Sequence, residues 1–130
     1  MPLASPEPVA ARRGLSMKDW DAVVKACAAL PGVEQGTSYG KPALKFRGKT
    51  LAATKAPDPD SFVLHVTTED KEVLIATEPA TFWQTDHYRG WPAILVRYGH
   101  DASDRITLLL ARAWWDRATK AQRLLFGPRP

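Results

Sequence analysis

The clearest alternation of apolar and polar positions lies between Gly40 and Lys55, reading GKPALKFRGKTLAATK. Leu44 and Phe46 alternate with Lys45 and Arg47, the two-residue period of a strand with one apolar and one cationic face. Two short runs, Pro42 to Phe46 and Thr50 to Thr54, flank Arg47-Gly48-Lys49. The stretch therefore predicts a hairpin, with Gly48 supplying the backbone freedom of its turn. Upstream, Trp20, Val23, Val24, Cys27 and Leu30 recur at helical spacing and form a core stripe. Ser16 as N-cap, Asp19 three residues on and a Leu15 to Trp20 staple set the start of that helix. Pro31-Gly32 ends it, and Gly36 to Gly40 bends the chain into the hairpin.

Ala56-Pro57-Asp58-Pro59-Asp60 is a turn by composition. It leads into a third strand, Ser61 to Val66, in which Phe62, Leu64 and Val66 share a face. Thr67 or Thr68 caps a short helix over Glu69 to Thr77, whose acids suit its first turn. Thr81 to Thr85 reads as a short fourth strand, and Trp91 to Tyr98 as a fifth with Ile94, Val96 and Tyr98 on one face. Asp101 or Ser103 starts the last helix, with Ile106, Leu109, Leu110, Ala113 and Trp114 as its buried stripe and Gly127-Pro128 as its end. Adjacent Trp114 and Trp115 divide into one core and one partly exposed ring. The order α-β-β-β-α-β-β-α predicts an α+β, two-layer fold: a five-stranded antiparallel sheet with its helices on one face and the other face open.

Composition narrows the class. The 130 residues suit one domain, 15–127, preceded by a proline-rich arm over 1–14 that reads as disordered and followed by a tail over 128–130. No apolar run approaches the roughly 18 residues of a membrane span, and none near the N-terminus has secretory character. The expectation is a cytoplasmic protein without a membrane partner. Cys27 is the single cysteine, so no intrachain disulfide or thiolate cluster can form. The net charge of +4 points weakly to a polyanion. Without Arg12, Arg13, Arg129 and Glu7 of the tails, 15 basic and 13 acidic residues remain, a body of +2. The basic character is local: five cations and no acid lie between Lys41 and Lys55, whereas Asp58 to Asp86 holds seven acids and one base.

Three pieces carry a resemblance: the helix end ALPGVE (Ala29 to Glu34), the hairpin GKPALKFRGKTLA (Gly40 to Ala53), and TDHYRGWPAILVRY (Thr85 to Tyr98) followed by a helix with a tryptophan. In order and spacing they resemble the MmcQ/YjbR family of small bacterial proteins over roughly residues 16–126. The resemblance implies a two-layer fold similar to that of secretion chaperones, and a DNA-binding label attached to a double-wing shape. It implies no catalytic residue.

Candidate chemistry follows from the alternation. With the apolar positions facing the helices, Lys45, Arg47, His65 and Arg97 fall on the open face. That face suits phosphate contacts, with Trp91 available to stack, or is simply a solvated sheet surface. Arg47-Gly48-Lys49 makes the hairpin tip a basic wing, or an ordinary exposed turn, and Lys41 joins the candidate nucleic-acid contacts. His87, Arg89 and Trp91 are a candidate small-ligand cluster. His65, His87 and His100 are too scattered for a metal triad. No G-x-S-x-G elbow, Walker loop or Rossmann loop is present, so neither an enzyme nor a cofactor reading has an anchor. The first expectation is a non-enzymatic DNA-binding or polyanion-binding module; the alternatives are a protein-interaction or chaperone-like module, and small anionic ligand binding.

Overall fold

The computed structural model describes residues 17–100 and 102–130. The N-terminal arm, with Leu15 and Ser16, lies outside the described residues, as does Asp101. The elements are α1 (Trp20–Ala26), β1 (Glu34–Ser38), β2 (Lys41–Phe46), β3 (Lys49–Ala53), β4 (Ser61–His65), α2 (Thr68–Thr77), β5 (Phe82–Trp83), β6 (Ala93–Arg97), α3 (Ser103–Arg117) and α4 (Lys120–Phe126). All strands join one antiparallel sheet in the order β1-β2-β3-β4-β6-β5. The α+β class and the antiparallel sheet agree with the sequence, but the sheet has six strands rather than five.

The additional strand is β1, EQGTS, which has no apolar alternation because it is an exposed edge. Its pairing to β2 is set by a two-residue turn, Tyr39-Gly40, with φ of 52° and 77°. The β2–β3 turn, Arg47-Gly48, repeats that geometry at 52° and 79°. Two successive positive φ angles are what the tight turn matching strand twist demands, so each turn places glycine second and tolerates a strained residue first. Lys49 belongs to β3 rather than to the turn.

Asp19 caps α1, its carboxylate accepting from the Ala22 amide at 3.0 Å. Thr67 caps α2, its hydroxyl accepting from Asp70 N–H. The C-terminal helix is two helices: backbone at Ala118 is extended, and Thr119 restarts the chain with a reciprocal capping box to Gln122.

Phe62, Leu64, Phe82, Ile94 and Val96 pack one sheet face against Val23, Cys27, Leu74, Ile106 and Leu110, all buried. Burial pushes the Cys27 thiol up to about 12, consistent with a packing role. A bulge between β2 and β3 leaves Leu51 without a cross-strand partner and adds it to a second cluster with Phe46 and Trp114. Trp114 stacks on Phe46 at 5.5 Å between centroids, and its indole N–H donates to the Pro31 carbonyl at 2.7 Å. Trp114 is the core ring and Trp115 the half-buried one.

Candidate functional site

Register assigns Lys45, Ala43, Ala53, Ser61, Val63, Trp83, Ala93, Leu95 and Arg97 to the second sheet face. That face was expected to be bare, and it is not. Ala43, Ala53, Val63, Ala93 and Leu95 are buried there, with Trp83, Tyr88 and Ala56 packed over them. The small side chains leave room for a covering segment, and the β5–β6 connection supplies it through one 3-10 turn, Asp86–Tyr88.

The four cations expected to gather on that face are dispersed. Arg97 donates to the carbonyls of Pro79 and Ala80, at 3.3 and 3.1 Å, and stacks over Trp83 at 4.8 Å. Arg47 Nη1 donates to the Arg117 carbonyl at 2.8 Å, answering the negative end of α3. Lys45 is half-buried, opposite Glu34 in register, with its stem over Gly36. His65 is half-buried in the wall of a cavity beside α3. Burial first, and the charge of Arg117 second, pull its imidazole down to about 4, so it is neutral at pH 7. Lys41 and Lys49 remain exposed at the starts of their strands.

Of His87, Arg89 and Trp91, the His87 and Trp91 rings are brought together. The His87 ring stacks on Trp91 at 5.9 Å and meets Tyr88 edge-on at 5.2 Å. Arg89 pairs with Asp86 at 2.8 Å, both exposed. Lys71, a buried lysine of α2, fixes this segment: its Nζ donates to the Tyr88 carbonyl at 2.6 Å and to the Trp91 carbonyl at 2.9 Å. Burial, then the charge of Arg89, lowers its pKa.

Tyr39 stands at the β1–β2 turn. Its ring is 84% exposed, with the Lys55 ammonium 5.3 Å from the centroid. Burial, and secondarily the Tyr39 phenol, raises the pKa of Tyr88. His87 touches the rings of both Tyr88 and Trp91, and exposed Tyr39 carries the Lys55 ammonium over its face, with Arg89 and Lys41, close to Tyr39 in sequence, as further exposed cations. Trp91 is 54% exposed. The shelf presents flat rings and positive charge, so it can stack a planar group and meet an anion.

The YjbR family model matches residues 28–115. The chain belongs to the YjbR family. The matched span of this YjbR protein runs from the end of α1 into α3 and contains every shelf residue. Among similar proteins are "Uncharacterized protein Rv2570" of Mycobacterium tuberculosis and "Uncharacterized protein Mb2600" of Mycobacterium bovis. Each is 28% identical over 118 residues, covering 80% of this chain and 92% of the relative. The crystal structure of Deinococcus radiodurans protein DR2400, with family-model domain DUF419, superposes with a TM-score of 0.66 at 20% identity, covering 85% of this chain and 89% of that one. That likeness shows the fold. Among the described residues, no helix is long and apolar enough to cross a membrane.

Tyr39, Tyr88 and Lys71 were not singled out by sequence pattern, and Lys55 was read only as the end of the basic run. The Tyr39-Gly40 pair between Ser38 and Lys41 is the signal for the first; the others depend on a connection folding back over the sheet, which no local pattern encodes.

Proposed function

We propose that this YjbR-family protein is a non-enzymatic module that binds single-stranded nucleic acid on the shelf formed by Tyr39, Tyr88, His87 and Trp91. The observation that carries this reading is the exposure of Tyr39 and Trp91 beside exposed cations. Large rings held in water gain by stacking on bases, about 1–3 kcal/mol per base. Lys41, Lys55 and Arg89 supply phosphate contacts along the same edge. Arg47 contributes little to a wing, since its guanidinium is directed at α3. A single strand fits better than a duplex because its bases are free to stack and the face offers no helix for a major groove. Titration of tryptophan fluorescence with oligothymidylate, compared with a duplex of equal length, tests the reading. Quenching by the single strand alone is the expected outcome.

A protein-interaction module is the second reading, favoured by α4. Leu124 and Leu125 are 75% and 91% exposed, adjacent to the partly exposed Phe126. Binding through them would be nearly insensitive to salt and would survive loss of the shelf cations.

A further inference from the structure

The outer side of β1 is an unpaired sheet edge, and the ladder beside it fixes which groups it presents. β1 pairs only with β2, and Pro42 of β2, opposite Thr37 in register, gives its carbonyl to the Thr54 amide just past β3, at 3.0 Å. Thr37 and Pro42 are therefore a non-hydrogen-bonded pair. The N–H and C=O of Thr37 point away from β2, and by alternation those of Gln35 do too. Both residues are exposed, and among the described residues no backbone hydrogen bond reaches either from outside the ladder. The devices that blunt an edge are missing: β1 contains no lysine, no proline and no register shift. The opposite edge, β5, is blunted by being only two residues long.

The residues of this edge select its occupant. Turned about a two-fold axis through Gly36, Glu34-Gln35-Gly36-Thr37-Ser38 meets a second copy with Gln35 opposite Thr37 and Glu34 opposite Ser38. Gln35 and Thr37 then exchange both backbone bonds at two places, which occupies every outward group of the strand. Gly36 meets Gly36 at the close, non-bonded pair without side-chain conflict, and each Glu34 carboxylate faces a serine hydroxyl. The two Glu34 carboxylates stand four residues apart along the ladder, roughly 13 Å, beyond the ~8 Å over which exposed charges repel at physiological ionic strength. A foreign strand would be chosen by pockets for its alternate side chains, and the short polar side chains of β1 build none. We infer that β1 is a self-pairing edge that joins two copies of this chain, antiparallel about Gly36, into one continuous sheet. Five residues a side is small against the roughly 20–30 of a standard interface, so the dimer is a weak one.

Gly36→Cys tests the register. A side chain added there meets nothing nearer than Lys45 Cδ at 3.6 Å, so the substitution is accommodated, and the native Cys27 is buried. Under mild oxidation the variant should form a disulfide-linked dimer, because opposed cysteines at a non-hydrogen-bonded pair lie within bridging distance. Glu34→Cys, displaced along the ladder from its own copy, should stay unlinked. In the unaltered protein raised to millimolar concentration, sedimentation should show a monomer–dimer equilibrium, and hydrogen exchange should slow at the Gln35 and Thr37 amides. Thr37→Pro, which removes an N–H that β2 does not use, should abolish the dimer, and Thr37→Ala should keep it. A monomer throughout, the outcome if the edge belongs to a foreign peptide or to another segment of the chain, would overturn the inference. Equal linking of both cysteine variants, or a dimer that Thr37→Pro retains, would do the same. If Gly36→Cys does not fold, sedimentation and exchange in the unaltered protein decide alone. Oligothymidylate binding is not among these readouts, so failure here leaves the shelf reading standing.

Discussion

The ammonium of Lys71 donates to the carbonyl of Tyr88 at 2.6 Å, tying helix α2 to the segment that carries the shelf rings. A lysine drawn out of water for two carbonyls is unusual, and its consequence is positional: it holds residues 88–91 over the small side chains of the second face. Lys71→Met keeps the stem and removes the donor, leaving both carbonyls unanswered. Urea denaturation should show a loss of about 1–3 kcal/mol. Hydrogen exchange should quicken most in residues 86–91; uniform loosening would argue against a local clamp.

Stability should fall in acid through His65. Its folded-state value of about 4 lies below the ordinary 6.5, so between those values the unfolded chain takes up a proton that the folded one refuses. The stabilising contribution is complete above pH 6.5 and is lost as pH falls through about 4; two and a half units correspond to at most about 3 kcal/mol. Denaturation midpoints of the native protein and of His65→Asn, measured across that range, should converge as the pH drops. Parallel curves would contradict the assignment.

The Phe46–Trp114 stack joins the β2–β3 hairpin to α3, and both rings are almost fully buried. Phe46→Ala should cost about 3–5 kcal/mol, since the surrounding Leu51 and Ala113 cannot close the void. Chemical denaturation reads this directly, and a cost below one kcal/mol would mean the hairpin is docked by other contacts.

Most of the fold was legible because hydrophobic period reports burial: Phe62, Leu64, Ile94 and Val96 face the core as their alternation requires. What escaped detection has specific causes. β1 is polar because nothing covers an edge strand, so it carries no period to read. The division of α3 from α4 was written as Thr119 followed three residues later by Gln122, a capping box hidden inside an otherwise helical run. The candidate site was only half visible. His87 and Trp91 are neighbours in sequence and in space, whereas Lys45, Arg47, His65 and Arg97 shared a parity but not a surface. Alternation gives the direction of a side chain from its strand; the carbonyls of Pro79, Ala80 and Arg117 that engage Arg97 and Arg47 arrive from distant segments.

Arg47 and Lys55 should therefore behave differently although both are basic and exposed. Arg47→Ala removes a donor from the end of α3 and should lower stability by about 0.5–1.5 kcal/mol while leaving nucleic-acid affinity nearly unchanged. Lys55→Ala should leave stability within about 0.5 kcal/mol and weaken binding. Paired denaturation and binding measurements on the two variants separate a wing from a shelf. Loss of affinity in Arg47→Ala alone would favour the wing.

Binding of oligothymidylate at several salt concentrations, to the native protein and to Tyr39→Ala, Lys55→Ala and Trp91→Ala, tests the shelf most directly. Affinity should fall with salt, with a log–log slope that loses about 0.7 when the single Lys55 contact is removed. Each ring substitution should cost about 1–3 kcal/mol of binding with the slope preserved. No binding at low salt, or binding that all three variants retain in full, would contradict the account.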